Sequence, residues 1–342
     1  MGIEGGHIMN WKKGFSASYT MNYVDPVTWR DLKATDFTAG TISRSSDDLM
    51  QSADFDMTES PGESWVRVYI TTLQAGGGSH VALFTGLTSA PQEVMDGMRK
   101  HYSVECYSTL KPAADVLLPR GYFAAEGVDG ARLAAELLRV GPAPVTYTRN
   151  GPKLTEAIVA EDDETNFSMA RRLIDAIGWM IRIDGDGSIS IGPFPSGVAV
   201  KYDAFEDDAV EPEVTNTFDW FSCPNCFRAV SGDLVEEVKD TDPNSALSVV
   251  SRGREIWQQE TSVTLGDGEN LRDYALRKLA ELQSPGRTIN YSRRYNPDIM
   301  PGDLVRLHYP GNGITGVYRS RSQTITIGHG CRTEEEATYE RA

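Results

Sequence analysis

Two cysteines two residues apart, Cys223-Pro224-Asn225-Cys226, are the arrangement in this chain whose types and spacing most directly suggest chemistry. Such a pair suits a redox couple or half of a zinc site, because a thiolate is both a nucleophile and a soft metal ligand. Neither context is complete. A thioredoxin-like pair opens a helix after a buried strand, whereas Phe218, Trp220 and Phe221 before it and residues 227–230 after it read as strand on both sides. A zinc ribbon needs a second pair, and the candidates are His329 and Cys331, at a spacing unusual for structural zinc. The expectation is no metal and no cofactor, with Cys223, Cys226, His329 and Cys331 as the one set that would hold zinc and buried free thiols as the working reading. Four cysteines in 342 residues, with Cys106 far from the others, build no disulfide scaffold.

Asp184-Gly185-Asp186-Gly187-Ser188 puts oxygen ligands at the first, third and fifth positions of a calcium loop. It fails further on, because Ile189 stands where the sixth position needs Gly, Pro195 stands where the twelfth needs Glu, and the flanks read as strand. A hairpin turn is expected instead. His80, His101, His308 and His329 are isolated in expected strands or turns, without the helical spacing of a metallopeptidase. Gly76-Gly77-Gly78 lacks the Lys and helix of a phosphate loop, and no nucleophile elbow or dinucleotide fingerprint occurs. A glycosidase-type carboxylate pair is never excluded by counting in a chain with 49 acidic residues, but nothing singles one out. No catalytic residue is assigned, and the protein is expected not to be an enzyme.

The acidic residues face 33 Lys and Arg, a formal net charge of −16, which argues against a surface built to grip phosphates. The basic clusters Arg171-Arg172, Arg293-Arg294 and Arg319 with Arg321 have no extended aromatic platform, so salt bridges explain them better than a nucleic-acid-binding module does. The acidic runs at 161–164, 206–208 and 334–336 read as solvated loops. No apolar stretch approaches the roughly 18 residues that would span a bilayer. The expected place is the cytosol until an assembly event, with no membrane anchoring. Residues 1–8 read as a vector-derived leader, so fold reasoning starts at Met9.

A chain this long favours two or three domains. Over residues 11–85 the pattern is strands and turns: Val66, Val68 and Ile70 alternate with Arg67, Tyr69 and Thr71, the period of a strand with one buried face. A strand is predicted at 102–107. Asp129 should cap a short helix carrying Leu133, Leu137 and Leu138, and a second helix capped by Asn166 or Ser168 should end at Gly178. A hairpin follows at 179–191. A third region opens near Ala209 with β-like residues, continues into a helix over 269–283 stopped by Ser284-Pro285-Gly286, and closes with three strands at 288–295, 304–309 and 317–327.

Several of these signs occur in one order: the helix ending in Ala176-Ile177-Gly178 before a strand and an Asp-Gly turn, then Val214-Thr215-Asn216, then Ser251-Arg252-Gly253-Arg254-Glu255-Ile256 ahead of a helix. The most specific is the run 297–307, where Pro301 and Gly302 force a turn, Asp303 can accept from nearby amides, and a strand begins at Leu304. On these signs the chain resembles the hub proteins of long-tailed phage baseplates and the related late-control proteins of prophages, over nearly its whole length after Met9.

The resemblance implies an α+β, mainly β fold: two tail-tube-like β-barrel domains, 9–110 and 208–342, with a smaller α+β middle domain at 111–207. It implies a homotrimer whose barrels form a pseudo-sixfold ring joining the tail tube to the tip or spike and letting DNA pass. The implied partners are a distal tail or tube protein, a tape measure and a spike or fibre, met in the host cytoplasm before residence at the virion tail tip. Arg319 and Arg321, on the strand taken as the outer edge, are the candidate assembly contacts, and tight nucleic-acid binding is not expected. The rival reading is a tail-associated cell-wall hydrolase.

Overall fold

Val66, Val68 and Ile70 are all fully buried, and their strand is one of eight that fill the first third of the chain. The computed structural model describes residues 9–46, 51–75, 77–217, 221, 223–232, 234–261, 263, 270–283 and 288–340. Residues 1–8, Gly76, Phe218, Trp220 and the expected helix stop at 284–286 lie outside them. The eight strands are β1 (Ser16–Val24), β2 (Asp31–Thr35), β3 (Phe37–Ser45), β4 (Ser52–Met57), β5 (Trp65–Gln74), β6 (Gly77–Thr88), β7 (Gln92–Asp96) and β8 (Arg99–Ser108). The middle of the chain carries α1 (Lys111–Asp115), β9 (Phe123–Ala124), α2 (Gly130–Leu138), β10 (Val145–Tyr147), β11 (Ile158–Val159), α3 (Asn166–Ala176), β12 (Trp179–Ile183) and β13 (Ile189–Pro193). Then follow β14 (Val198–Asp203), β15 (Val210–Thr217), β16 (Cys226–Ser231), β17 (Leu234–Lys239), α4 (Val249–Arg252), β18 (Trp257–Glu260) and α5 (Leu271–Gln283). The last strands are β19 (Thr288–Arg294), β20 (Leu304–Tyr309), β21 (Ile314–Thr326) and β22 (Arg332–Glu340). The described chain is mainly β.

The chain divides into two compact units, residues 1–214 with 290–342, and residues 215–289. In the larger unit one sheet joins the two ends of the chain. Its main path runs β15-β19-β22-β21-β3-β4-β8-β6-β5-β1-β2, with β14 beside β20 and β7 beside β8. The junction is β21. Along one edge it pairs with β22; along the other it pairs first with β20, from Ile314 to Arg319, and then with β3, from Ser322 to Thr326. Residues 317–327 were expected at an outer edge, and this is corrected: both backbone edges of that strand are occupied. The early strands bury Met21, Ile42, Phe55, Val68, Phe84 and Val104, each such side chain contributing about 1.5–3 kcal/mol on leaving water.

The middle elements form their own core under α2 and α3, with Leu138, Met169, Leu173, Ile181 and Ile191. Asp129 caps α2 by accepting from the Arg132 amide at 3.0 Å. The cap of α3 is Thr165, ahead of both expected candidates, Asn166 and Ser168, because its hydroxyl and that of Ser168 each accept from the other's amide. The turn at 184–188 closes β12 on β13, with the Asp184 amide donating to Ser188 O at 2.9 Å and Gly187 at φ +81°. That turn also docks on the first sheet. Thr85 Oγ1 donates to Gly185 O at 2.9 Å, and Arg67 Nη2 and Trp29 Nε1 donate to Asp186 O at 3.0 and 3.1 Å. A Cβ on Gly185 would lie 1.9 Å from Ala82 O, so only glycine allows the approach.

In the smaller unit β16 pairs with β17 and β18, and α5 covers one face through Phe227, Ala229, Val238, Tyr274, Ala275 and Leu279. Asn225, between the two cysteines, organises their loop: its Nδ2 donates to Leu247 O and Arg254 O, and its Oδ1 accepts from the Ile256 amide.

Candidate functional site: an acidic and hydroxyl-bearing sheet face

Where β22, β21, β3, β4 and β8 lie side by side, strand alternation sorts their residues onto two faces. The register aligns the solvent side in rows. Glu336, Ser322 and Ser45 form one, and Glu334, Thr324, Ser43, Ser52 and Tyr107 form the next. Thr326, Thr41, Asp54 and Glu105 follow, and then Ala39, Asp56 and Ser103. None of these positions carries Lys or Arg. The face therefore presents five carboxylates among hydroxyl groups, drawn from both ends of the chain. At its β22 border Arg332 is held by Glu334 at 2.5 Å and Glu211 at 2.9 Å.

Asp54 and Glu105 stand directly opposite across β4 and β8. Like charges in that relation destabilise a sheet. Partial burial, and then the Glu105 charge, push the Asp54 carboxyl above its ordinary range. Tyr107 Oη donates to Glu105 Oε2 at 2.7 Å, and that bond raises the phenol in turn. Such an arrangement costs stability and leaves negative potential on an open surface.

The opposite side of these strands holds the face in place. Under β3, β4 and β8 it is apolar apart from Arg44, with Ile42, Ala53, Phe55, Val104 and Cys106 buried. Under β21 and β22 it is polar. Arg293 Nε donates to Glu335 Oε2 at 2.5 Å, and neither side chain is exposed. Burial alone would lower the guanidinium, but the neighbouring Glu335 charge outweighs it and the group is held above its ordinary value. Gln323 Nε2 donates to Ile299 O at 3.1 Å, and Arg44 donates to Leu83 O and to Met300 Sδ.

No protein-family model matches the sequence, and no curated protein matches it either. Solved structures do. The crystal structure of the tail protein from Neisseria meningitidis MC58 superposes with a TM-score of 0.68 at 17% identity, covering 96% of this chain and 97% of that one. The prophage MuSo2 43 kDa tail protein from Shewanella oneidensis gives 0.64 at 14% identity over 96% and 98%. The prophage tail protein gp18 from Listeria monocytogenes EGD-e gives 0.54 at 12% identity over 96% and 95%. The chain has the fold of prophage tail proteins.

Within that tail-protein fold the residues singled out from sequence fall as follows. Cys223 and Cys226 lie in the smaller unit, both buried; Cys223 Sγ donates to Leu282 O at 3.3 Å, and burial, then Glu255, raises the Cys226 thiol. Cys331 belongs to the larger unit, buried beside Tyr19, its thiol pushed up to about 11 mainly by burial, while His329 is exposed. Thiols so raised are poor thiolates at neutral pH. Among the described residues no group of three or more His, Cys, Asp and Glu side chains is placed to hold a metal ion.

Arg319 contacts its own chain, donating to both Glu340 oxygens at 3.2 and 2.8 Å and to Gly302 O at 2.9 Å, and it holds the Glu340 carboxyl below its ordinary range. Arg321 Nε reaches Thr338 Oγ1 at 3.4 Å. The residues that sequence reasoning missed are those of the acidic face. The run 334–336, taken as a solvated loop, is part of β22, with Glu334 and Glu336 outward and Glu335 buried. The signal was there in the alternation of Arg332, Glu334 and Glu336 with Thr333, Glu335 and Ala337, masked by the charge on the inward Glu335.

Proposed function

We propose that this chain is a structural hub at the tip of a phage or prophage tail. Three copies would form a ring, each end of the chain supplying a tube-like β-barrel segment, so that the ring has pseudo-sixfold symmetry and continues the tail tube. The acidic and hydroxyl-bearing face lines the lumen in this reading, and it is the observation that carries it. A duplex passing through must meet no cation that would release its counterions and hold it. Five carboxylates and a bed of hydroxyls repel and wet the phosphate backbone without gripping it. The fold of prophage tail proteins supports a role in a tail. The partners are a tube or distal tail protein, a tape measure and a spike or fibre, joined in the host cytoplasm before residence in the virion tail tip. The chain acts without catalysis.

The test pairs mass with DNA affinity. Purified protein should reach a trimer mass as concentration rises and should show no DNA shift near physiological salt. A variant with Asp54→Lys, Asp56→Lys and Glu334→Lys should bind duplex DNA with an affinity that falls linearly in log salt. Tight DNA binding by the unaltered chain, or a stable dimer, refutes the lumen reading. Release of soluble fragments from purified cell wall by the unaltered chain refutes the non-catalytic one.

A further inference from the structure

The hairpin β7–β8 runs past its neighbours. Among the described residues, Arg99–His101 of β8 pair with β7 alone, since β4 reaches only to Tyr102 on the other edge. At its tip the chain turns through Gly97, at φ +59°, between two bare methionines: Met95 is 67% exposed and Met98 is completely exposed. Single exposed apolar residues are ordinary, but two unbranched, polarisable side chains at the end of a projecting arm make an adaptable contact. Glu93 and Lys100, paired at 2.6 Å across the hairpin, add one charge of each sign just behind that tip.

The same unit carries a groove of about 750 Å³, comparable to a pocket for a small ligand. Its apolar surface comes from Tyr23, Val24, Trp65 and Leu87, and its rim from Lys33 on one side and Glu59 and Glu63 on the other. One wall is β2, which among the described residues pairs with β1 alone and leaves its outer backbone edge open. The other wall is the 59–64 segment, which is pinned: Thr88 Oγ1 donates to Gly62 O at 2.6 Å and accepts from the Ser64 amide at 2.8 Å. The groove is thus a built feature, with an apolar floor, an unpaired strand edge and charges of both signs at its rim.

We propose that the Met95–Met98 tip of one copy seats in this groove of the next copy, with Lys100 facing Glu59 and Glu63 and Glu93 facing Lys33. Tip and groove are different surfaces of one chain, so the contact is heterologous, the type that closes into a ring when its rotation divides a full turn. The open edge of β2 lets the incoming hairpin add backbone hydrogen bonds as well as side-chain burial. This contact rests on the ring reading above and specifies what joins one subunit to the next.

The test is a crosslink made with Met98→Cys and Ser60→Cys in the same full-length chain, oxidised at concentrations where mass is measured in parallel. Ser60 lines the groove and is exposed. The double variant should give covalent trimers on a non-reducing gel, while either single variant gives none. Met98→Asp should weaken self-association at least tenfold without moving the unfolding temperature of the monomer. A trimer by mass with no crosslink overturns this contact and leaves the ring standing. Dimers crosslinked by Met98→Cys alone overturn it in favour of a symmetric tip-to-tip contact. A chain that stays monomeric at every concentration and yields no crosslink overturns the ring reading and the contact together.

Discussion

Replacing Arg293 by Met, or Glu335 by Leu, should each cost the larger unit about 3–5 kcal/mol, because removing one member of a buried pair strands the other charge without solvent. The structure sets the magnitude at the high end of what ion pairs do: the groups meet at 2.5 Å, with neither side chain exposed. Solvent has no access to screen the remaining charge, and the nearby phenols of Tyr202 and Tyr291 are kept neutral by burial. At roughly 2–4 °C per kcal/mol for a domain of this order of size, the unfolding temperature should fall by roughly 6–20 °C. The double variant should behave differently. Two apolar side chains of similar volume remove the desolvation cost of both charges, so its stability should lie near that of the unaltered chain or exceed it by about 1–4 kcal/mol. Since the chain holds two compact units, urea unfolding should be read together with hydrogen exchange at 288–294 and 332–340, which reports on the strands that carry the pair. Single variants that cost less than about 1 kcal/mol, or a double variant as unstable as the singles added together, would refute the reasoning from burial.

Asp54→Asn should stabilise the fold at neutral pH by roughly 0.2–1 kcal/mol, by relieving the cross-strand charge pair. The sign follows from the raised carboxyl: the folded chain holds this proton more tightly than the unfolded chain, so stability is lost as pH rises from 3.8 through the raised value, and the variant should flatten that stretch of a melting-temperature profile. Gly185→Ala should cost on the order of 1–3 kcal/mol by overpacking against Ala82 O, seen as faster hydrogen exchange across β12 and β13. Chelator should leave the unfolding temperature unchanged and elemental analysis should find less than one zinc per chain, because loss of a structural zinc, worth on the order of 10 kcal/mol, would be plain in either measurement.

Local features were legible from sequence because their causes are local. Asp129 reads as a cap, Gly178 as a left-handed terminator, and Pro301-Gly302-Asp303 as a turn, and the structure shows Gly302 at φ +95° with Asp303 Oδ2 accepting from the Met300 amide at 2.8 Å. The mainly β character followed from alternation such as that of Val66, Val68 and Ile70. The candidate site was not legible, since its rows are set by register between strands far apart in the chain. Nothing near Thr324 announces that it will lie beside Ser43, or that Asp54 will face Glu105. β22 escaped for a different reason: an inward-facing Glu335 breaks the polar–apolar alternation by which a strand is recognised, and its partner Arg293 lies about 40 residues earlier.

The junction at β21 also sets a timetable. β3 leaves the ribosome early, but the strand that completes its edge follows about 280 residues later. At 5–20 residues per second that interval is roughly 15–60 s, during which the edge of β3 stands open to any passing strand. The chain cannot display its full acidic face until β21 and β22 have emerged, so a fragment interrupted before them keeps Asp54, Asp56 and Glu105 but lacks Glu334 and Glu336. Completion of this sheet is therefore tied to the end of synthesis, and only a chain carried through β22 presents all of its rows.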